Sequence, residues 1–236
     1  MNALQAFDRD YAREGCRVIG LDEAGRGALA GPVMAGACVL HGDFFWSAEV
    51  LRRSAGVHDS KQLTPAARKE QLAVIDALRA EGVLDYAVGA GSVASIERWN
   101  ILGATRRAMA EALERLAERA PAGDGDWALP GWEQAEPLFA ARSRVRILVD
   151  GRPLRPFAYA HEGVIGGDGR SLAIAVASIA AKVTRDREME RLAETYPDYG
   201  FERHKGYGTA DHRERIRKYG PGPVHRPLFV RKVLAG

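Results

Sequence analysis

Two carboxylates, Asp22 and Glu23, stand side by side in this 236-residue chain, directly ahead of a Gly25-Arg26-Gly27 turn. Neighbouring carboxylates repel, so at neutral pH they need either raised pKa values or a bound cation. Hard divalent ions such as Mg²⁺ and Mn²⁺ take oxygen ligands, which makes a metal the natural resolution. Asp150 closes a second apolar run and is followed by Gly151. A carboxylate at the carboxyl end of a core strand is where α/β proteins tend to place functional groups. Asp168 lies in Gly166-Gly167-Asp168-Gly169. Taken singly, each is equally a solvated loop start or an Asp-Gly turn residue. What joins them is that each sits where a regular element meets a glycine turn. One condition attaches to the first pair: successive strand residues face opposite ways, so Asp22 and Glu23 converge only if the strand ends between them.

A second kind of chemistry is written in residues 199–208 (YGFERHKGYG), where Tyr199, Phe201 and Tyr207 alternate with Arg203, His204 and Lys205. Aromatic faces stack on bases or sugars while cations meet phosphates, although rings in a glycine-rich loop serve equally as core anchors. Lys182 and Arg185 are three apart on one helical stretch and share a face. Lys61 follows Asp59-Ser60, and each of these three bases, taken alone, is a surface charge. Other chemistries lack their residues. The Gly25 to Gly31 stretch has no Lys-Ser/Thr ending of a phosphate loop, and there is no Gly-x-Ser-x-Gly elbow. The six histidines form no His-x-x-x-His pair, and Cys16 and Cys38 form no Cys-x-x-Cys, so a zinc site is unsupported.

The elements that position these groups follow from periodicity. Residues 17–22 (RVIGLD), 33–40, 83–90 and 144–150 (RVRILVD) read as strands, with a weaker one over 157–165. Thr64-Pro65 reads as a helix start, with Leu72, Ile75 and Leu78 on one face and Gly82 as the stop. Residues 92–99 form a short helix, and 101–120 a longer one with Leu102, Met109, Leu113 and Leu116 on its apolar face. Residues 171–194 form one helix whose first half is almost wholly Ala, Ile, Val and Leu, and so is buried all round. A basic helix over 209–219 ends the pattern. Strands in a meander followed by alternation with helices predict an α/β protein with a mixed sheet. Residues 121–143, rich in Pro and Gly yet holding Trp127, Trp132 and Phe139, stand apart as an irregular insertion.

Composition narrows the function classes. A 46% apolar and 28% charged chain excludes a disordered, fibrous or coiled-coil protein. No apolar run reaches the roughly 18 residues of a membrane span, and the N-terminus has no signal-like apolar stretch, so the expectation is a cytoplasmic chain with no membrane partner. Residues 201–236 hold nine Lys/Arg against three Asp/Glu, a basic end on a near-neutral body that fits a polyanion partner or simply a solvated helix.

At this point the blocks are recognisable together. Gly20-Leu21-Asp22-Glu23-Ala24-Gly25-Arg26-Gly27 with Leu29-Ala30-Gly31-Pro32-Val33 resembles the opening signature of the ribonuclease HII family. Asp59-Ser60-Lys61-Gln62-Leu63, Val149-Asp150-Gly151, residues 177–186 (ASIAAKVTRD) and residues 196–207 resemble its later blocks, in the family's order, from about residue 17 to about 226. The resemblance implies a ribonuclease H-like fold, a five-stranded mixed sheet flanked by helices, as one catalytic domain over 1–236. A helical C-terminal extension, about 190–236, grips the duplex. It implies an endonuclease using Mn²⁺ or Mg²⁺ at a two-metal site and cutting the RNA strand of RNA–DNA hybrids. It also implies cutting on the 5′ side of ribonucleotides embedded in duplex DNA, leaving 3′-hydroxyl and 5′-phosphate ends. The implied catalytic and metal-binding carboxylates are Asp22, Glu23, Asp150 and Asp168, the last in preference to Asp186. The implied substrate-binding residues are Gly25, Arg26 and Gly27, whose backbone meets the ribose 2′-hydroxyl, Tyr207 beneath the sugar on the 3′ side, and Lys61, Lys182 and Arg185. Residues 225–229 (HRPLF) carry Pro227-Leu228 where the family commonly has a serine. A monomer satisfies everything in the sequence. The alternatives are each disfavoured. One is ribonuclease HIII or an activity limited to long hybrids, the first usually with an extra N-terminal domain where only about 16 residues precede the first strand here. A non-catalytic hybrid-binding module would be free to lose the four carboxylates. A structure-specific DNA resolvase lacks the Gly-Arg-Gly element.

Overall fold

The computed structural model describes residues 1–13, 17–58, 60, 63–120, 129 and 145–235. Five strands, β1 (Arg17–Ala24), β2 (Val33–Leu40), β3 (Leu84–Gly91), β4 (Val145–Asp150) and β5 (Glu162–Val164), form one sheet in the order β3-β2-β1-β4-β5. β1, β2 and β3 are antiparallel neighbours, while β4 lies parallel to β1 and β5 parallel to β4. This is the mixed sheet that the meander-then-alternation pattern predicts.

Side-chain alternation divides the core in two. Val18 and Leu148 point to one face, where they meet helix α3 (Pro65–Ala80), through Leu72, Ile75 and Leu78, and the long helix α5 (Leu172–Thr195). Ile19, Leu21, Ile147 and Val149 point to the other, where helix α4 (Val93–Glu118) covers them with Ala108, Met109, Ala112 and Leu113. The first half of α5 is buried without a break from Leu172 to Ala181, as its all-apolar composition requires. It lies against the sheet so closely that a Cβ on Gly20 would come 2.2 Å from the Ala173 carbonyl carbon. That contact seats Ser178 and Lys182 beside the strand ends where the carboxylates lie.

Several local expectations shift. The short and long helices join as α4, broken at Asn100 (φ 54°, ψ 175°), whose Oδ1 accepts from the Leu102 and Gly103 amides and so starts the second segment. Leu102 is 54% exposed, outside the apolar face its spacing assigns it to. The weak strand over 157–165 shrinks to three residues. Phe157 turns into the α4-side core, with Tyr159 and His161 edge-on to it at 5.6 and 5.2 Å, and so leaves the sheet. Helices α1 (Ala3–Arg13) and α2 (Ala48–Ser54), unmarked by strong sequence signals, also form. In α1, Leu4, Phe7 and Tyr11 pack on the core and Asp8 Oδ2 accepts from the Ala173 amide at the start of α5. Beyond α5 the chain forms a single turn, α6 (Phe201–His204), then α7 (Ala210–Tyr219) and α8 (Pro227–Leu234), the last with Val230 and Val233 against Ile216 of α7. The expected insertion at 121–143 lies outside the described residues, Leu129 excepted.

Candidate metal centre and nucleic-acid cleft

The parallel register sets Leu21 opposite Val149, so the next residue along each strand is a carboxylate, Asp22 on β1 and Asp150 on β4. By alternation both face α5, on the side of Val18 and Leu148. The 3₁₀ turn Gly167–Gly169 delivers Asp168 from the chain that leads into α5. One carboxylate oxygen from each of Asp22, Asp150 and Asp168 lies within 4.8 Å of the others. Asp150 is aimed by the same turn, for its Oδ1 accepts from the Gly167 amide at 2.7 Å. Asp22 and Asp168 are buried, 3% and 5% exposed. Asp22 Oδ1 accepts from the Glu23 amide at 2.7 Å, whereas its buried Oδ2 has no hydrogen-bond partner. Burial above all, then the charges of Glu23 and Asp150, pushes the Asp22 carboxyl up to about 8. An orphaned carboxylate oxygen, facing two further carboxylates and held protonated for want of a counter-charge, fits a hard divalent cation.

Glu23 stands outside that trio. β1 runs on to Ala24 rather than ending between the two acids, so Glu23 points to the opposite side and pairs with Arg26 at 2.8 Å, its side chain 14% exposed. It nevertheless lines the same open cleft, about 900 Å³, as Asp22 and Asp150. Asp186 is separate from the trio, held by Lys182 and, at 3.7 Å, by Arg68.

The cleft rim is the Gly25-Arg26-Gly27 turn on one side and Tyr207 and Lys182 on another. The turn depends on Gly25, whose φ of 88° and position 1.9 Å, by its would-be Cβ, from Arg185 Nε leave no space for a side chain. Arg185 is therefore no surface base. It is fully buried, with Nε donating to the Pro32 carbonyl and the two terminal nitrogens to the Ala30 and Lys205 carbonyls, at 2.9 to 3.1 Å. The expectation that Arg185 meets substrate directly is corrected by that burial: its donors are spent on three backbone carbonyls. Arg226, 1% exposed, is its counterpart, donating to the Arg26 and Gly31 carbonyls. Burial lowers its pKa to about 9, with the Arg185 charge a lesser cause. Lys182 is partly buried, which lowers its pKa, and its Nζ lies 5.8 Å from the Tyr207 ring centre; the Arg185 guanidinium is 5.2 Å from the same ring. Lys61 lies outside the described residues; its neighbour Ser60 is hydrogen-bonded to Ser178 at 2.8 Å on the cleft wall.

Sequence reasoning missed the far wall of the cleft. Leu102, Thr105 and Arg106 of α4 and Arg152 and Arg155 of the turn after β4 line it, with Arg106 donating to the Arg155 carbonyl at 2.6 Å. The signal available was the two arginines that closely follow Asp150. Arg226 was the other omission, because a base directly before Pro227-Leu228 carries no local sign of its burial. Among the described residues no helix is long and apolar enough to cross a membrane.

Comparison with known proteins agrees with this geometry. The family model described as ribonuclease HII matches residues 19–122 and 142–232. The chain is 40% identical to the ribonuclease HII of Thermosynechococcus vestitus over 97% of this chain and 91% of that one. It is 41% identical to that of Chlamydia pneumoniae over 96% and 90%. Among solved structures, ribonuclease H2 from Pyrococcus horikoshii is 26% identical with a TM-score of 0.54, covering 93% of this chain and 97% of that one. The ribonuclease HII of Archaeoglobus fulgidus, solved with PCNA, is 22% identical with a TM-score of 0.62 over 92% and 96%, which speaks for the fold alone.

Proposed function

Since the chain belongs to the ribonuclease HII family, metal-dependent endonucleases acting on the RNA strand of RNA–DNA hybrids, we propose that it also cuts duplex DNA on the 5′ side of an embedded ribonucleotide, leaving a 3′-hydroxyl and a 5′-phosphate. The observation that carries this reading is the convergence of Asp22, Asp150 and Asp168 beside a cleft rimmed by Gly25-Arg26-Gly27 and Tyr207. A divalent ion, Mn²⁺ or Mg²⁺, held by these carboxylates would supply Lewis acidity to the hydrolysis. Asp22 and Asp150 would be the central ligands, Asp168 would hold an ion beside them, and Glu23 would join the set only by giving up Arg26. A net charge near balance between four carboxylates and two ions keeps the site receptive to a phosphodiester.

The rest of the site selects. Backbone groups of Gly25, Arg26 and Gly27 meet the ribose 2′-hydroxyl, the one group that separates RNA from DNA. Tyr207 packs beneath the sugar on the 3′ side and Lys182, with Lys61, meets the backbone phosphates. Arg185 acts through the loop it holds rather than by contact. Arg106, Arg152 and Arg155 on the far wall add positive charge along the duplex.

A labelled DNA duplex holding one ribonucleotide tests this, incubated with Mg²⁺, Mn²⁺ or EDTA beside an RNA–DNA hybrid and an Asp22→Asn control. The expected result is a metal-dependent cut on the 5′ side of the ribonucleotide, absent in the control. Cutting of the hybrid alone would withdraw the embedded-ribonucleotide reading and leave the family assignment intact.

A further inference from the structure

Three histidines that take no part in the mechanism above, His204, His212 and His225, meet inside the C-terminal extension at 8%, 0% and 3% exposure. They come from α6, α7 and the turn before α8. The rings of His204 and His212 stack with centres 4.3 Å apart, and Nε2 of His212 lies 3.1 Å from Nε2 of His225. Tyr199 and Phe201 wall the group, their rings 4.6 and 5.6 Å from that of His225.

The hydrogen-bond partners fix each proton. The Tyr207 carbonyl can only accept from His212 Nδ1–H, so His225 Nε2 carries hydrogen and donates to His212 Nε2. His225 Nδ1, although 3.3 Å from the Gly222 carbonyl, accepts from the Gly222 amide at 3.0 Å. His212 Nε2 is thereby the acceptor, and His212 Nδ1–H donates to the Tyr207 carbonyl at 3.0 Å. His204 Nδ1 accepts from the Gly206 amide at 3.2 Å and Nε2–H donates to the Tyr199 carbonyl at 2.9 Å. Every imidazole is neutral, with one donor and one acceptor used. Burial depresses all three, His212 and His225 to about 4.

The chain of bonds has two ends, and both are at recognition elements. One end is the Tyr207 carbonyl, while the Tyr207 amide donates to the His204 carbonyl at 2.9 Å. The other is His225, whose backbone bridges Ala30 in the loop behind Gly25-Arg26-Gly27; next to it the Arg226 amide donates to the Leu29 carbonyl. A core of aliphatic side chains would fill this space but leave the Tyr207 carbonyl without the His212 donor.

We propose that His225 and His212 form a positioning relay that fixes the Tyr207 backbone relative to the 2′-hydroxyl-reading loop, and so sets the preference for an embedded ribonucleotide over a uniform hybrid. The inference rests on the reading of Tyr207 given under the proposed function. His212 and His225 are positioning residues, since they act only through Tyr207.

Two variants at one position separate positioning from mere packing. His212→Asn places an amide N–H near the Nδ1 position, keeping the donor to Tyr207 and losing His225. His212→Gln places its amide near the Nε2 position, keeping His225 and losing Tyr207. Single-ribonucleotide and hybrid substrates are assayed for kcat/KM, with Tyr207→Ala alongside and Tm for all three. The expected result is that the substrate ratio stays near its original value in His212→Asn and falls about tenfold in His212→Gln and in Tyr207→Ala. Equal ratios in the Asn and Gln variants, with only Tm lowered, would overturn the relay. Should Tyr207→Ala leave the ratio unchanged, it is the reading of Tyr207 that fails. Amide hydrogen exchange over residues 204–209 then judges the relay alone: protection lost in Gln and kept in Asn upholds it, and equal exchange in both overturns it.

Discussion

The carboxylate end of the sheet and the C-terminal extension solve opposite problems. At the sheet, charged groups are brought together although they repel, and the strands hold them there. Asp22 and Asp150 are adjacent because β1 and β4 are parallel in a register that makes them the next pair, on the face covered by α5. Where the extension meets the loop after β1, the chain has no strand pairing beyond the single Ala30–His225 bridge among the described residues, and polar side chains supply the order by holding backbone carbonyls. Arg185 holds Ala30, Pro32 and Lys205, Arg226 holds Arg26 and Gly31, and His212 holds Tyr207. Chemistry sits on strands whose register fixes it. Recognition sits on loops whose shape depends on a few buried donors.

That contrast predicts different signatures for damage in each region. The largest effect belongs to Asp150→Asn, which leaves the Gly167 amide an acceptor and relieves charge around Asp22. Its kcat should fall by about a thousandfold or more on every substrate, while thermal denaturation shows Tm unchanged or slightly raised. A large Tm loss would mean that the carboxylates stabilise the frame and would erase the distinction.

Arg226→Met should behave in the reverse way. It strips the Arg26 and Gly31 carbonyls of a buried donor, at about 1–3 kcal/mol for each group left unsatisfied. Denaturant unfolding should register that loss, and KM for the single-ribonucleotide duplex should rise more than kcat falls. Arg26→Ala, by contrast, alters a side chain 57% exposed and should leave stability within about 0.5 kcal/mol.

The metal centre carries its pH signature in ion binding. Without metal, Asp22 holds its proton up to about pH 8, so an ion must displace that proton to bind below it. Affinity for Mn²⁺ should therefore rise with pH until about 8 and then level off. Calorimetry in two buffers at pH 7 should detect a proton released on binding. Absence of a released proton would remove Asp22 from the ligand set.

The smallest effect is on stability in acid. His212 titrates at about 4 when folded against 6.5 when unfolded, so between those values the unfolded chain holds more protons and acid favours unfolding. Asp8, raised to about 7 chiefly by its burial, has the opposite sign over the same range. The Tm difference between the protein and His212→Asn cancels that opposing group. It should narrow as pH falls from 6.5 toward 5, because the variant has no imidazole to protonate.

The two regions also differed in how far the sequence revealed them. Asp22, Asp150 and Asp168 were legible because strand periodicity and a following glycine turn are local signals. Asp22 and Glu23 divided as strand alternation allows, since nothing local ended β1 before Ala24. Arg185 looked like a surface base, because a positive residue on a helix gives no sign that Gly25 and three carbonyls from distant segments enclose it. Leu102 fitted the apolar period of α4, yet it stands in the first turn after the break at Asn100, where it lines the cleft instead of meeting the sheet. The three histidines, at positions 204, 212 and 225, have no metal-ligand spacing, and a relay of neutral rings leaves no other local pattern.

The division of labour is tested most directly by one ratio: kcat/KM on a single-ribonucleotide duplex over kcat/KM on a uniform hybrid, measured for Asp150→Asn and Tyr207→Ala. The account predicts that Asp150→Asn lowers both values together and leaves their ratio unchanged, while Tyr207→Ala changes the ratio. A ratio that shifts in Asp150→Asn and stays constant in Tyr207→Ala would contradict it.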